Sequence, residues 1–231
     1  NVFAPQVNRI VAEHPKDENA QLTNLFVKIG RLQFFVIMLI LTGFIFFGEY
    51  FIYIWVGSSY SQAYALTLLL ICPVTVALIQ NIGIEIQRAK NLHKFRSIVY
   101  AIMAVINVVI SIICCQKLGI IGVAMGTAFS LVIGNIIIMN IYYHKKMGIN
   151  VIAFWKSILQ IFPAFIIPIV LGVSIKYFVE YSSLMSFVIT VLIYSAVYLV
   201  SMALFGLNKT EKKNLKLQII GVINKHDKNN R

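Results

Sequence analysis

Acidic residues are scarce in this chain: eight Asp and Glu stand against 20 Lys and Arg in 231 residues. The acids are Glu13, Asp17, Glu18, Glu49, Glu85, Glu180, Glu211 and Asp227. No two of them share a short segment on the predicted outer side, where a membrane-embedded hydrolase or glycosyltransferase needs its paired carboxylates. Histidines are equally sparse. His14, His93, His144 and His226 fall one to a loop, without the spacing of metal ligands. The three cysteines, Cys72, Cys114 and Cys115, all lie in apolar segments. That excludes an extracellular disulfide framework and leaves them as small packing residues. No phosphate-binding Gly-x-x-x-x-Gly-Lys loop occurs, and the first 30 residues hold no signal peptide. These absences argue against an enzyme and imply no cofactor and no metal.

Apolar residues are abundant. The chain is 59% hydrophobic and 12% charged, too apolar to bury its surface in a water-soluble globule of this length. Six apolar segments read 32–47, 63–84, 97–115, 120–143, 157–175 and 184–207. About 20 apolar residues cover a hydrocarbon core about 30 Å thick. The shortest segment, 32–47, is extended by Tyr50–Val56 beyond Glu49.

The basic residues fall in alternate gaps. Arg9, Lys16, Lys28 and Arg31 precede the first span, and Arg88, Lys90, Lys94 and Arg96 separate the second from the third. Lys145, Lys146 and Lys156 separate the fourth from the fifth. Lys209, Lys212, Lys213, Lys216, Lys225, Lys228 and Arg231 follow the sixth, and the other gaps hold only Lys117 and Lys176. Loops rich in Lys and Arg stay in the cytoplasm, so the pattern predicts six spans with both ends cytoplasmic. The net charge of +12 then belongs to one membrane face. Anionic lipids are its natural partner, and nucleic acid is not. Aromatic clusters agree: Tyr50, Tyr53, Trp55 and Tyr60 outside, Tyr142, Tyr143, Phe154 and Trp155 inside, Tyr177, Phe178 and Tyr181 outside again.

The expected fold class is therefore all-α, a polytopic membrane protein of six transmembrane helices. Residues 1–31 read as a cytoplasmic loop carrying an interfacial helix through Leu22, Leu25, Phe26 and Ile29, which Asp17 or Asn19 caps. Residues 32–143 supply four spans, 144–207 an additional pair, and 208–231 a basic cytoplasmic tail. Leu215, Ile219, Val222 and Ile223 predict an amphipathic helix in that tail. Pro163 and Pro168 predict a bend in the fifth span. Gly122, Gly126, Ser130 and Gly134 recur every four residues, the spacing of a close helix-packing face. The opening polar stretch reads as the middle of a longer protein, of which this is the C-terminal portion.

Two groups are candidates for function. Arg31, Arg88, Lys90, Lys94 and Arg96 can form a positive mouth at the cytoplasmic side that attracts a phosphate- or pyrophosphate-bearing substrate, although topology alone accounts for the cluster. Gln80, Asn81 and Glu85 are polar groups within a span and are candidates for gating or ion coupling. A plain ion pair of Glu85 with Arg88 is the competing reading. Asn107, Ser111, Asn135, Asn140 and Gln160 are the other polar residues at membrane depth.

The order of motifs resembles a known family. Phe-Ala-Pro-Gln-Val precedes Lys-Ile-Gly-Arg-Leu-Gln, then Phe-Gly-Glu-Tyr-Phe-Ile-Tyr-Ile-Trp-Val-Gly-Ser-Ser-Tyr. Gln-Arg-Ala-Lys-Asn-Leu-His-Lys-Phe-Arg-Ser and Lys-Leu-Gly-Ile-Ile-Gly-Val-Ala-Met-Gly-Thr follow. Over about 1–143 this resembles the C-terminal half of the polysaccharide biosynthesis flippases, relatives of multidrug extruders and lipid II flippases. The resemblance implies a two-lobe transporter of lipid-linked O-antigen, capsule or exopolysaccharide repeat units in a bacterial inner membrane. It implies a lipid-linked oligosaccharide as cargo, with polysaccharide polymerase and chain-length machinery as partners. A drug/cation antiporter of the same superfamily is the alternative, and a membrane glycan polymerase a more distant one.

Overall fold

A computed structural model describes residues 3–181, 183–208 and 211–213. The predicted tail helix, with Lys209, Lys216, Lys225, Lys228 and Arg231, lies outside them. Six helices are long and apolar enough to cross a membrane, and the described residues hold no strand. By contacts the chain divides into two units, Asn1–Ile158 and Leu159–Arg231.

In the first unit, α1 (Ala4–Glu13) carries its proline at the first turn, where the missing N–H costs no hydrogen bond. α2 (Glu18–Val56) runs unbroken for 39 residues, about 58 Å at 1.5 Å per residue. It therefore extends well past a bilayer at one end. The helix expected separately before residue 31 is the opening of α2 itself. Its apolar face does not lie on lipid: Leu22, Leu25, Phe26 and Ile29 are buried within the protein. The Phe26 ring stands edge-on to Tyr143 at 5.6 Å and to Phe154 at 4.9 Å. Tyr143 and Phe154, expected at headgroup depth, are accordingly core residues. Their packing partner outcompetes the interface because it removes both rings completely from solvent. Gly30 and Gly83 make room for them, since a Cβ at either position would strike the Phe154 or the Tyr143 ring.

The second predicted span divides. α3 (Gln62–Ile79) passes through Pro73 without interruption and stops at a turn over residues 80–81, after which α4 (Ile82–Ala89) begins. The Asn81 and Gly83 N–H groups bond back to Leu78 O at 3.2 Å and Gln80 O at 2.9 Å, closing a tighter turn than an α-helix. α5 (His93–Leu118) and α6 (Ile120–Leu131) follow. α6 widens into a π-helical turn, Val132–Ile138, and resumes as α7 (Met139–Lys145). Gly122 and Gly126 face α5 closely: a Cβ at Gly122 would meet the Cys114 carbonyl, and one at Gly126 would meet Ser111. Ser130 is buried and Gly134 approaches Met103.

α8 (Val151–Leu159) opens the fifth span earlier than its apolar pattern suggests. A 3-10 turn, Phe162–Phe165, contains Pro163, and α9 (Ile166–Phe178) places Pro168 in its first turn. The interruption thus comes at Pro163, while Pro168 sits where helix N–H groups lack intrahelical partners. α10 (Leu184–Ser201) ends in a second π-helical turn, Met202–Gly206. Within this second unit the Phe165 and Tyr198 rings meet at 6.0 Å, and Ser201 Oγ donates to Ala164 O at 2.7 Å.

Candidate functional site

The turn over residues 80–81 and the π-helical turn meet in one hydrogen-bonded network. Gln80 and Asn140 exchange amide bonds, Gln80 Nε2 to Asn140 Oδ1 at 2.9 Å and Asn140 Nδ2 to Gln80 Oε1 at 3.2 Å. Asn140 Nδ2 also donates to Asn135 O at 3.1 Å, five residues back across the widened turn. Trp155 Nε1 adds a bond to Asn140 Oδ1 at 3.0 Å. From Asn135 the chain of bonds continues outward. Tyr100 Oη donates to Asn135 Oδ1 at 2.6 Å, Arg96 Nη2 donates to Tyr100 Oη, and Arg96 Nη1 donates to Tyr143 Oη at 3.1 Å. The Arg96 guanidinium also stands 4.7 Å from the centre of the Tyr100 ring. π-helical turns recur at functional sites because they free backbone groups and redirect side chains.

Arg96 is half-buried, and no carboxylate pairs with it among the described residues. Its neighbours are hydroxyls, an aromatic face and, through them, amides. That surrounding orients a guanidinium without neutralising it. The planar group uses one N–H on each Nη for tyrosines and leaves others for an incoming acceptor.

The remaining predicted mouth residues do not join this network. Arg31 is buried in α2, where Nη1 donates to Ser157 O at 2.6 Å and to Ser157 Oγ at 3.2 Å. Arg88 is exposed and pairs with Glu85 Oε1 at 3.0 Å. Lys94 is exposed. Lys90 bonds to Glu18 Oε1 at 2.8 Å and to Asn19 Oδ1 and Met147 O, each at 3.2 Å. The Lys90 ammonium holds the Glu18 carboxyl below its usual range, partly opposed by desolvation, with His14 adding to the lowering. Of the span residues, Gln80 is central to the network. Asn81 and Glu85 instead line a small cavity of about 160 Å³ with Gln33 and Ile29.

Tyr143 and Trp155 escaped as site residues because aromatic residues near a span end look like an interfacial belt, and Tyr100 was not singled out at all. Asn135 and Asn140 were visible as polar groups at membrane depth. Their five-residue spacing, that of a π turn, was the signal that links them.

A second polar cluster lies between α5 and α6. Ser111 Oγ is 2.9 Å from Asn107 Oδ1 and 3.3 Å from Val123 O. Thr127 Oγ1 is 3.3 Å from Asn107 Oδ1 and 3.2 Å from Val123 O. Amide, hydroxyl and carbonyl oxygens are ligands of hard cations, and here the two hydroxyls donate to the Asn107 and Val123 oxygens. Among the described residues no group of three or more His, Cys, Asp or Glu is placed to hold a metal.

No family model matches the chain, and no curated protein and no solved structure proves similar to it. Spans and composition make it an all-helical, multi-pass membrane protein, a build consistent with membrane transport in general.

Proposed function

We propose that the chain flips undecaprenyl-pyrophosphate-linked oligosaccharide repeat units across a bacterial cytoplasmic membrane, for O-antigen, capsule or exopolysaccharide synthesis. The observation that carries this reading is Arg96, a half-buried guanidinium with no carboxylate partner among the described residues, backed by tyrosines and amides at two helix breaks. A guanidinium so held matches the oxygens of a pyrophosphate. The amides and hydroxyls behind it match sugar hydroxyls. Cargo would move without covalent change, then pass to polymerase and chain-length machinery. The alternate gaps of Lys and Arg support a cytoplasmic position for Arg96, the side on which such a cargo is made.

Proteoliposomes containing a fluorescent undecaprenyl-pyrophosphate oligosaccharide test this. Arg96→Gln should slow loss of fluorescence to an external quencher by about tenfold, the effect of one charge-assisted hydrogen bond. Arg9→Gln, an exposed pair with Glu13, should not. Full flipping by correctly inserted Arg96→Gln removes Arg96 from the cargo path.

One observation favours a second reading, a cation-coupled drug antiporter: the four oxygens of Asn107, Ser111, Thr127 and Val123. Sodium-dependent drug efflux that Asn107→Ala abolishes, without oligosaccharide flipping, would select it.

A further inference from the structure

α4 is a short helix with a break at each end. The turn over residues 80–81 precedes it, and Asn91, left-handed at φ 55°, follows its C-cap Lys90. Its alignment with the long helices therefore depends on side-chain contacts. Ile82 and Ile86 supply an apolar face, and Gly83 rests against Tyr143.

Two polar side chains on the same helix pull in opposite directions. Lys90 brings together three acceptors from two other segments: Glu18 Oε1 and Asn19 Oδ1 at the start of α2, and Met147 O in the turn after α7. An ammonium has three N–H donors, so this set saturates it. One turn earlier, Gln87 is 0% exposed, and neither Nε2 nor Oε1 has a hydrogen-bond partner among the described residues. Burying an unpaired amide disfavours the docked position, by a factor of about ten or more. There is also room for movement. The small cavity touches α4 at Ile82 and Glu85, and a larger one of about 610 Å³ touches it at Ala89 and Lys90.

We propose that α4 is a two-position latch, held docked by Lys90 against the opposing pull of the buried Gln87 amide, and released by turning about the breaks at residues 80–81 and 91. This goes beyond the choice of cargo, since it concerns when the basic end opens rather than what passes through it. Docked, α4 ties α2 to the turn after α7. Released, it frees Gln87 to reach water and detaches Gln80's end of the polar network.

Hydrogen exchange on the whole chain in lipid nanodiscs tests the latch, with α5 amides 97–113 as internal reference. Lys90→Met should speed exchange over 82–92 by about tenfold or more, leaving the reference unchanged. Gln87→Met, similar in size but apolar, should slow it by about tenfold. The second variant keeps the native Lys90 and tests the proposal even where the first fails to fold. Unchanged or faster exchange in Gln87→Met overturns the latch, because the amide then has a partner such as a trapped water. Equal acceleration of the reference by Lys90→Met also overturns it, since Lys90 would then hold the whole unit.

Discussion

The basic end of residues 1–158 and the helices of residues 159–208 are held together by different means. In the first, Arg96, Tyr100, Asn135, Asn140, Gln80, Tyr143 and Trp155 form one connected set of hydrogen bonds beside an aromatic core. In the second, aromatic packing of Phe165 on Tyr198 and of Tyr181 on Phe187 accompanies a long-range bond from Ser201 to Ala164. Apolar packing between helices costs little polar desolvation and resists change. A polar network inside a span costs more to bury and, once satisfied, fixes the helices that share it. The first arrangement specifies which polar groups must meet, and the second relies mainly on packing.

The largest effect should come from breaking what the polar end rests on. Phe26→Ala deletes a ring in contact with both Tyr143 and Phe154 at a completely buried position, and should destabilise the first unit by about 3–5 kcal/mol. Denaturant titration in mixed micelles measures it. A loss below about 1 kcal/mol would mean that these rings repack freely.

Asn140→Leu comes next. It strips partners from Gln80, Trp155 and the Asn135 carbonyl, at a cost of about 1–2 kcal/mol, the upper range for hydrogen bonds between spans. Gln80→Leu added to it should cost less than the sum of the two singles, since the orphaned amide disappears as well. Strict additivity in that cycle would dissolve the network into independent bonds. Ser201→Ala in the second unit should cost only about 0.6 kcal/mol, the average for such a bond. A Ser201 effect as large as that of Asn140 would erase the contrast between the two units.

Much of the architecture was legible in the sequence because its cause is local. Six apolar runs about 20 residues long give six spans whatever packs on them. Pro163 marks an interruption because its ring fixes the backbone and its nitrogen cannot donate. The partners of the polar groups were not legible. Lys90 reads as one of five cations at a mouth, and only the fold shows it bound to Glu18, 72 positions back in the chain, and to Met147 O. Residues 17–31 read as a lipid-facing helix because Leu22, Leu25, Phe26 and Ile29 share a face, and a face has the same pattern whether lipid or protein covers it. The break after Ile79 left no proline or glycine at residues 79–81 to mark it, and the Gln80 side chain there bonds to Asn140, 60 positions on.

The smallest predicted effect concerns pH at the contact between Lys90 and Glu18. Lys90 is the main cause of the lowered Glu18 carboxyl, desolvation opposes it, and His14 at 3.2 Å adds to it. Above the unfolded value of 4.5 the carboxyl is charged in both folded and unfolded chains, and the pair contributes its full stabilisation. As pH falls, the unfolded chain takes up its proton first. Stability then declines and is lost once pH has passed below the folded value. Exchange over 82–92, corrected for its intrinsic pH dependence, should therefore stay level from about pH 7 to about pH 5 and rise only below that. Glu18→Gln should flatten the profile at the higher rate throughout. The effect is small because the carboxyl retains 21% of its exposure and water screens the pair. A rise beginning near neutral pH would mean that Glu18 does not set the dependence, and would leave Lys90 held by Asn19 and the Met147 carbonyl.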